Sequence, residues 1–235
     1  MPLKLICFDA AGTLFDTGRP VGEIYAEFAR RYGMAVSSAD LRRRFRGCFA
    51  SSPPLAFPDA PPDTIAELEF NWWKDLVRRI FEPYGRFEKF NEYFAALFEH
   101  FRQPATWVLY PETARTLAAL KGAGFSLAVI TNFDSRVLGI LEGLGIASYF
   151  DSAFLSSRVG HAKPDPEIFR RALGRYAAAP GEAIHIGDSP SHDAAGAKAA
   201  GLNAVLIDRS GKHRADGYLR IESLDEVLAL IERLR

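Results

Sequence analysis

Four polar clusters in this sequence each follow a short apolar run. Asp9 closes the run 3–8 and is followed by Gly12 and Thr13. Thr131-Asn132-Phe133-Asp134 closes the run 125–130, and Lys163-Pro164-Asp165-Pro166 lies in a loop beyond 153–155. Gly187-Asp188-Ser189 closes 183–186, with Asp193 a little further on. Converging carboxylates repel one another unless a cation sits among them. Oxygen-only ligands suit Mg²⁺, which takes few protein carboxylates and keeps several waters. A lysine and a threonine hydroxyl beside such a cation suit a phosphate. A carboxylate can itself be the nucleophile in phosphoryl transfer. Taken singly, an acid at a strand end is often a turn former or helix cap. The ordered set, each member at a strand end, carries the reading.

Such residues meet only if the chain brings the strand ends together. The apolar runs 3–8, 125–130, 153–155, 183–186 and 204–207 alternate with helical segments at 112–122, 135–143, 166–176 and 191–200. That alternation predicts α/β architecture, a Rossmann-like parallel sheet covered by helices on both faces. In such sheets ligands bind beyond the carboxyl ends of the strands. Between the first strand and the rest the pattern is helical. Val21–Tyr32 and Ser38–Ala50 show helical spacing, with Ser38 as N-cap of the second. A proline-rich loop runs from Ser51 to Pro62, and Asp63 is expected to cap a helix. That helix puts Ile65, Leu68, Trp72, Leu76 and Ile80 on one face. A further helix over 87–101 carries an aromatic stripe that reads as a helix-bundle core. The expected division is a core of residues 1–16 and 104–235 and an inserted all-helical cap of residues 17–103.

Composition narrows the function. Lys+Arg and Asp+Glu both number 29, a balance that argues against generic binding to nucleic acid or anionic membranes. The two cysteines, Cys7 and Cys48, have no patterned spacing, so neither a disulfide framework nor a zinc site is expected. The first apolar run is interrupted by Lys4 and is too short for a secretory signal. No stretch approaches the roughly 18 apolar residues that span a membrane. The expectation is a cytoplasmic protein with no nucleic-acid or membrane partner.

In order, the four clusters resemble the four motifs of the haloacid dehalogenase superfamily of hydrolases. Asp9-Ala10-Ala11-Gly12-Thr13-Leu14-Phe15-Asp16 is similar to motif I, and Thr131 in Val129-Ile130-Thr131-Asn132 to motif II. Lys163-Pro164-Asp165-Pro166 is similar to motif III, and Gly187-Asp188 with Asp193 to motif IV. The helical insertion directly after motif I matches the type 1 cap. Arg19-Pro20-Val21-Gly22, Trp72-Trp73, Pro104-Ala105-Thr106-Trp107 and Asn132-Phe133-Asp134 further resemble one branch, haloacid dehalogenase-like hydrolase domain-containing protein three. The resemblance implies that Asp9 attacks the phosphorus of a small phosphorylated metabolite, taking the phosphoryl group as an aspartyl-phosphate and releasing the leaving group. It implies Mg²⁺ bound by Asp9, Asp188 and the Ala11 carbonyl, with Asp193 binding through water or orienting the site. Thr131, Asn132 and Lys163 would hold the transferring phosphoryl, and Lys163 would also neutralise Asp9.

One position departs from the pattern. Phosphatases of the superfamily usually carry a second aspartate at the place of Ala11, to protonate the leaving group and then activate water. Such general acid–base help is typically worth ~10²–10⁴-fold, or roughly 3–5 kcal/mol of barrier. Asp16, Asp134 and His192 are the nearby groups that could substitute. A low-turnover phosphate-ligand binding protein is the main alternative. The 2-haloacid dehalogenases also lack the second aspartate, but they need no metal and lack the acidic pair kept here. They also use an arginine in a turn, where Leu41–Arg46 reads as helix. Phosphonoacetaldehyde hydrolases share the alanine but need an early cap lysine, and this chain has none between Lys4 and Lys74.

Other features read as structural. Ser189, His192 and Asp193 are neighbours in sequence, which is not the spatial convergence a serine triad needs. Arg42, Arg43, Arg44 and Arg46 read as a solvated helix face. A phosphoryl transfer without its acid depends on the leaving group. p-Nitrophenyl phosphate is therefore expected to be hydrolysed roughly 10²-fold or more faster than a simple alkyl phosphate. Equal rates in a steady-state comparison would contradict the reading of Ala11.

Overall fold

The computed structural model describes residues 3–213 and 217–234. In chain order the first elements are β1 (Leu5–Phe8), β2 (Phe15–Thr17), α1 (Val21–Arg31), α2 (Ser38–Ala50), α3 (Ile65–Phe81) and α4 (Phe90–His100). Next come β3 (Trp107–Leu109), α5 (Thr113–Gly122), β4 (Ser126–Thr131), α6 (Arg136–Gly143), β5 (Ser152–Leu155), α7 (Ser156–Val159) and α8 (Pro166–Arg175). The chain closes with β6 (Ala183–Gly187), α9 (Ala195–Ala199), β7 (Asn203–Ile207), β8 (Leu219–Ile221) and α10 (Val227–Leu234). Six strands form one parallel sheet in the order β5-β4-β1-β6-β7-β8. β1 is central, with Phe8 paired to Val129 on one side and Ile186 on the other.

The period-two alternation of β1 explains how the sheet is covered. Ile6 and Phe8 point into a core with Leu117 and Leu120 of α5 and Val137 and Ile140 of α6. Leu5 and Cys7 point the other way, onto Ile168, Phe169 and Ala172 of α8 and Ala197 of α9. A strand buried on both faces reads as an unbroken apolar run, as β1 does. Burial in this second core pushes the Cys7 thiol up, so it stays a neutral small hydrophobe.

The four long helices between β2 and β3 form a third core. It includes Ile24 and Tyr25 of α1, Leu41 of α2, Leu76 and Ile80 of α3, and Phe94 and Leu97 of α4. β2 and β3 pair antiparallel, Phe15 with Leu109 and Thr17 with Trp107. The helical insertion therefore leaves and rejoins the sheet layer through one short ribbon, the arrangement of a cap. Each strand of this ribbon has three residues, too few to show a periodicity in the sequence. β8 and α10 are likewise not predicted from the sequence.

Several boundaries differ from the sequence reading. Ser37 is the N-cap of α2, because it holds extended backbone while Ser38 is already helical, and its hydroxyl accepts the Asp40 N–H. Asp63 does not cap α3, which starts at Ile65 after Thr64. The Thr64 hydroxyl donates to Pro61 O within the preceding turn instead, a local competition typical of threonine. On α3 the buried face includes Glu69 and Val77, whereas Leu68 and Trp72 are half-buried. The aromatic helix expected over 87–101 forms over Phe90–His100. The helix expected over 191–200 is divided: Pro190–Ala194 makes a π-helical turn, and only Ala195–Ala199 is α-helical. Such widened turns often sit at functional sites, and this one carries the buried Asp193. Among the described residues no helix is long and apolar enough to cross a membrane.

Candidate active site

Asp9 stands one residue past β1, and its N–H donates to Ile186 O of β6 at 2.9 Å. That bond fixes it at the carboxyl edge between Thr131, the last residue of β4, and Asp188, just past β6. Gly12 turns the chain back with φ of 86°. A side chain there would put its Cβ 2.5 Å from Asp188 Oδ2, so only glycine allows the two loops to close. Arg209 secures the same loop, donating to Thr13 O at 2.9 Å and to Glu112 Oε1 at 2.5 Å.

Lys163 is the hub. Its Nζ donates to Asp9 Oδ1 at 2.7 Å and to Asp193 Oδ1 at 2.5 Å. All three side chains are buried. Asn132 holds the lysine's backbone on both sides: its Nδ2 donates to Lys163 O at 2.8 Å, and its Oδ1 accepts the Lys163 N–H at 2.7 Å. Both polar atoms of the Asn132 amide are thus bonded to the Lys163 backbone. Asp193 also accepts the Ser189 N–H at 3.0 Å and lies 2.9 Å from His185 Nε2. A Cβ on Gly187 would fall 2.2 Å from Asp193 Cγ, so glycine is needed for this approach as well.

Burial and charge set the protonation states. Burial alone would pull the Lys163 ammonium down, yet Asp193 and Asp9 hold it above the usual lysine range. Burial alone would raise Asp193, but Lys163 and His185 hold it well below the usual carboxylate range. Burial lowers His185. The neutral imidazole then donates through Nε2 to Asp193, which leaves Nδ1 as a buried acceptor without a partner. Asp9 is raised by its burial and by Asp193, against the pull of Lys163. Asp188, the solvent-facing member, is pushed up to about 7 by desolvation in the cleft and by the Asp9 and Asp193 charges.

One lysine therefore faces three carboxylates, and the carboxylates left short of positive charge are Asp9 and Asp188. Ligand oxygens of Asp9, Asp188 and Asp193 all lie within 4.8 Å of one another. This cluster can hold a divalent cation, and its all-oxygen donors suit a small hard one.

The pocket over these groups also takes in Ala11, Thr131, Ser189 and His192. Of the three candidates for the missing acid, only His192 lines it. Asp134 is fully buried, bonded to Arg136 through both oxygens and to Trp73 Nε1 at 2.5 Å. Asp16 lies in an adjoining cleft with Tyr110 and Arg209. Arg42, Arg43 and Arg46 are exposed, as expected, while Arg44 donates to the Arg79 and Ile80 carbonyls of α3. Sequence reasoning missed His185, whose one signal is a polar residue at an inward position of a buried strand. It also missed Phe45, Phe49 and Trp73 of the insertion, which close the pocket from above. Aromatic residues on an amphipathic helix carry no sign of whether they face a core or a site.

Aspartates gathered at the carboxyl edge of this sheet, under a helical insertion, are the arrangement of the haloacid dehalogenase superfamily. The chain belongs to this family of hydrolases: the haloacid dehalogenase-like hydrolase model matches residues 3–201. Within the family it is similar to haloacid dehalogenase-like hydrolase domain-containing protein 3 of Mus musculus, with 34% identity over 222 residues, 94% of this chain and 87% of the relative. It is also 31% identical to a phosphoserine phosphatase of Thermus thermophilus over 248 residues, 96% of this chain and 98% of that one. The crystal structure of a HAD phosphatase from Thermococcus onnurineus superposes with a TM-score of 0.68 at 26% identity, covering 97% of this chain and 98% of the other.

The Lys163 hub makes a stability prediction. Removing one partner of a buried ion pair leaves uncompensated charge and typically costs about 3–5 kcal/mol. Lys163→Met is expected to lose about 3 kcal/mol at neutral pH without added metal, read from the shift in urea midpoint. An unchanged midpoint would show that the carboxylates do not depend on this lysine.

Proposed function

We propose that this protein is a Mg²⁺-dependent phosphohydrolase acting on a small phosphorylated metabolite in the cytoplasm through an aspartyl-phosphate on Asp9. The observation that carries the reading is the placement of Asp9, 2.7 Å from the Lys163 ammonium and beside Asp188 and Asp193 in the lining of one pocket. Asp9 attacks phosphorus through a carboxylate oxygen, and the bond to the leaving oxygen breaks. Lys163 and Thr131 hold the phosphoryl oxygens as charge develops, and Asn132 keeps Lys163 in place. Water then attacks the aspartyl-phosphate, releasing phosphate and restoring Asp9. Asp9, Asp188 and the Ala11 carbonyl would hold Mg²⁺, with Asp193 orienting the site. When bound, the ion neutralises the carboxylates and the developing phosphoryl charge. Residues 17–103 act as a cap over a core of residues 1–16 and 104–235, closing on bound substrate as lids do.

A second reading is favoured by one observation. Ala11 supplies no proton to the leaving group, which suits a phosphate-ligand binding protein with little turnover. Dehalogenase and phosphonoacetaldehyde hydrolase chemistry receive less support: among the described residues lining the pocket there is no arginine, and Lys163 is the one lysine.

Asp9→Asn is expected to lower hydrolysis of acetyl phosphate by at least ~10³-fold, and chelation of Mg²⁺ is expected to abolish it in the wild type. Both are read by phosphate release, with circular dichroism confirming that the variant folds. Ligand binding without Asp9-dependent turnover would select the binding-protein reading.

A further inference from the structure

The polar groups of the catalytic pocket all come from the sheet edge. The insertion contributes Phe45 and Phe49 of α2 and Trp73 of α3, and Phe133 joins them from the loop after β4. Lys163 is the one Lys or Arg among the described residues lining the pocket, and its ammonium is already shared by Asp9 and Asp193. The insertion therefore presents no charge of either sign to whatever is attached to the phosphate.

The rings form an ordered wall. Phe45 stacks on Phe49 with centroids 5.7 Å apart and planes 16° apart. Phe49 also meets Trp72 at 5.9 Å and Trp73 at 6.2 Å. Phe49 is nonetheless 41% exposed, a rare state for a large apolar side chain in this protein. Behind the wall lies a cavity of about 90 Å³ with an almost wholly apolar lining. Phe45, Trp73 and Phe133 border both spaces. Among the described residues lining the cavity the one charged group, Arg136, is taken up by Asp134 and lies 3.9 Å over the Phe98 ring.

We propose that the substrate is a phosphate monoester with an apolar, aromatic body whose ring lies against Phe45, Phe49 and Trp73. The proposal rests on the phosphohydrolase reading above and narrows it. An amino-acid or sugar phosphate would set charge or hydroxyls against rings that offer no partner, at the loss of their hydration. An aromatic body gains from ring contacts and from apolar area removed from water. The same class answers Ala11, because a phenolate leaves without a proton far more readily than an alkoxide.

The test is calorimetric binding in the presence of Mg²⁺, with wild type and Phe49→Ser. The probes are phenylphosphonate, 3-phosphonoalanine and inorganic phosphate. Phe49 is partly exposed, so its replacement leaves the cores intact. Phenylphosphonate is expected to bind at least about tenfold tighter than either other probe. Its affinity ratio to phosphate should fall about fivefold in Phe49→Ser. Equal affinities, or tighter binding of phosphonoalanine, would overturn the proposal while leaving the phosphate site standing. A phenyl preference that persists in Phe49→Ser would overturn the assigned wall. Failure of phosphate itself to bind would overturn the phosphohydrolase reading, and this proposal with it.

Discussion

The site depends on one buried ammonium shared by two carboxylates. Lys163 reaches Asp9 and Asp193 from a loop far away in sequence, and without it two acids buried within hydrogen-bond reach of one cation would face each other uncompensated. Such a pair is stable only where geometry is tight and the remaining polar atoms are satisfied. The surrounding structure meets that condition: Asn132 clamps the lysine's backbone, His185 and the Ser189 N–H hold Asp193, and Gly12 and Gly187 leave room for the acids to approach. The π-helical turn after β6 is part of the same arrangement, since it carries Asp193.

A second constraint ties the helical insertion to that edge. Glu69 of α3 is 3% exposed, and its Oε1 accepts the Ser135 N–H and the Ser135 and Ser157 hydroxyls. One turn along, Trp73 donates to Asp134, which Arg136 grips with two nitrogens. These bonds run from the insertion to the loop that follows Thr131 and, through Ser157, to α7. The loop that helps frame the pocket is thus also where the insertion is fastened, and Trp73 serves both as fastener and as aromatic wall.

Much of this was legible in the sequence because it lies in local patterns. The unbroken apolar run before Asp9, the alternation of short runs with helices after residue 104, and the polar residues closing each run gave the parallel sheet and its functional edge. Ala11 was legible as a departure because it stands inside a motif. What was not legible depends on tertiary contact. The β2–β3 ribbon is too short to have a period. Glu69 carries no local sign of its burial, because its three hydrogen-bond donors come from Ser135 before α6 and Ser157 of α7. The amide of Asn132 is also bound to the Lys163 backbone, a pairing across 31 positions that no local pattern records. Residue type alone makes Asp63 and Ser38 cap candidates, but the backbone places the helix boundaries at Thr64 and Ser37.

The most direct test of the account is the identity of the atom that reacts. During turnover of acetyl phosphate with Mg²⁺, the protein is quenched in acid, digested, and the peptide carrying Asp9 is weighed by mass spectrometry. The account predicts a phosphoryl group on that peptide, located to Asp9 by fragmentation. Phosphate release with Asp9 unmodified at every quench time would contradict it.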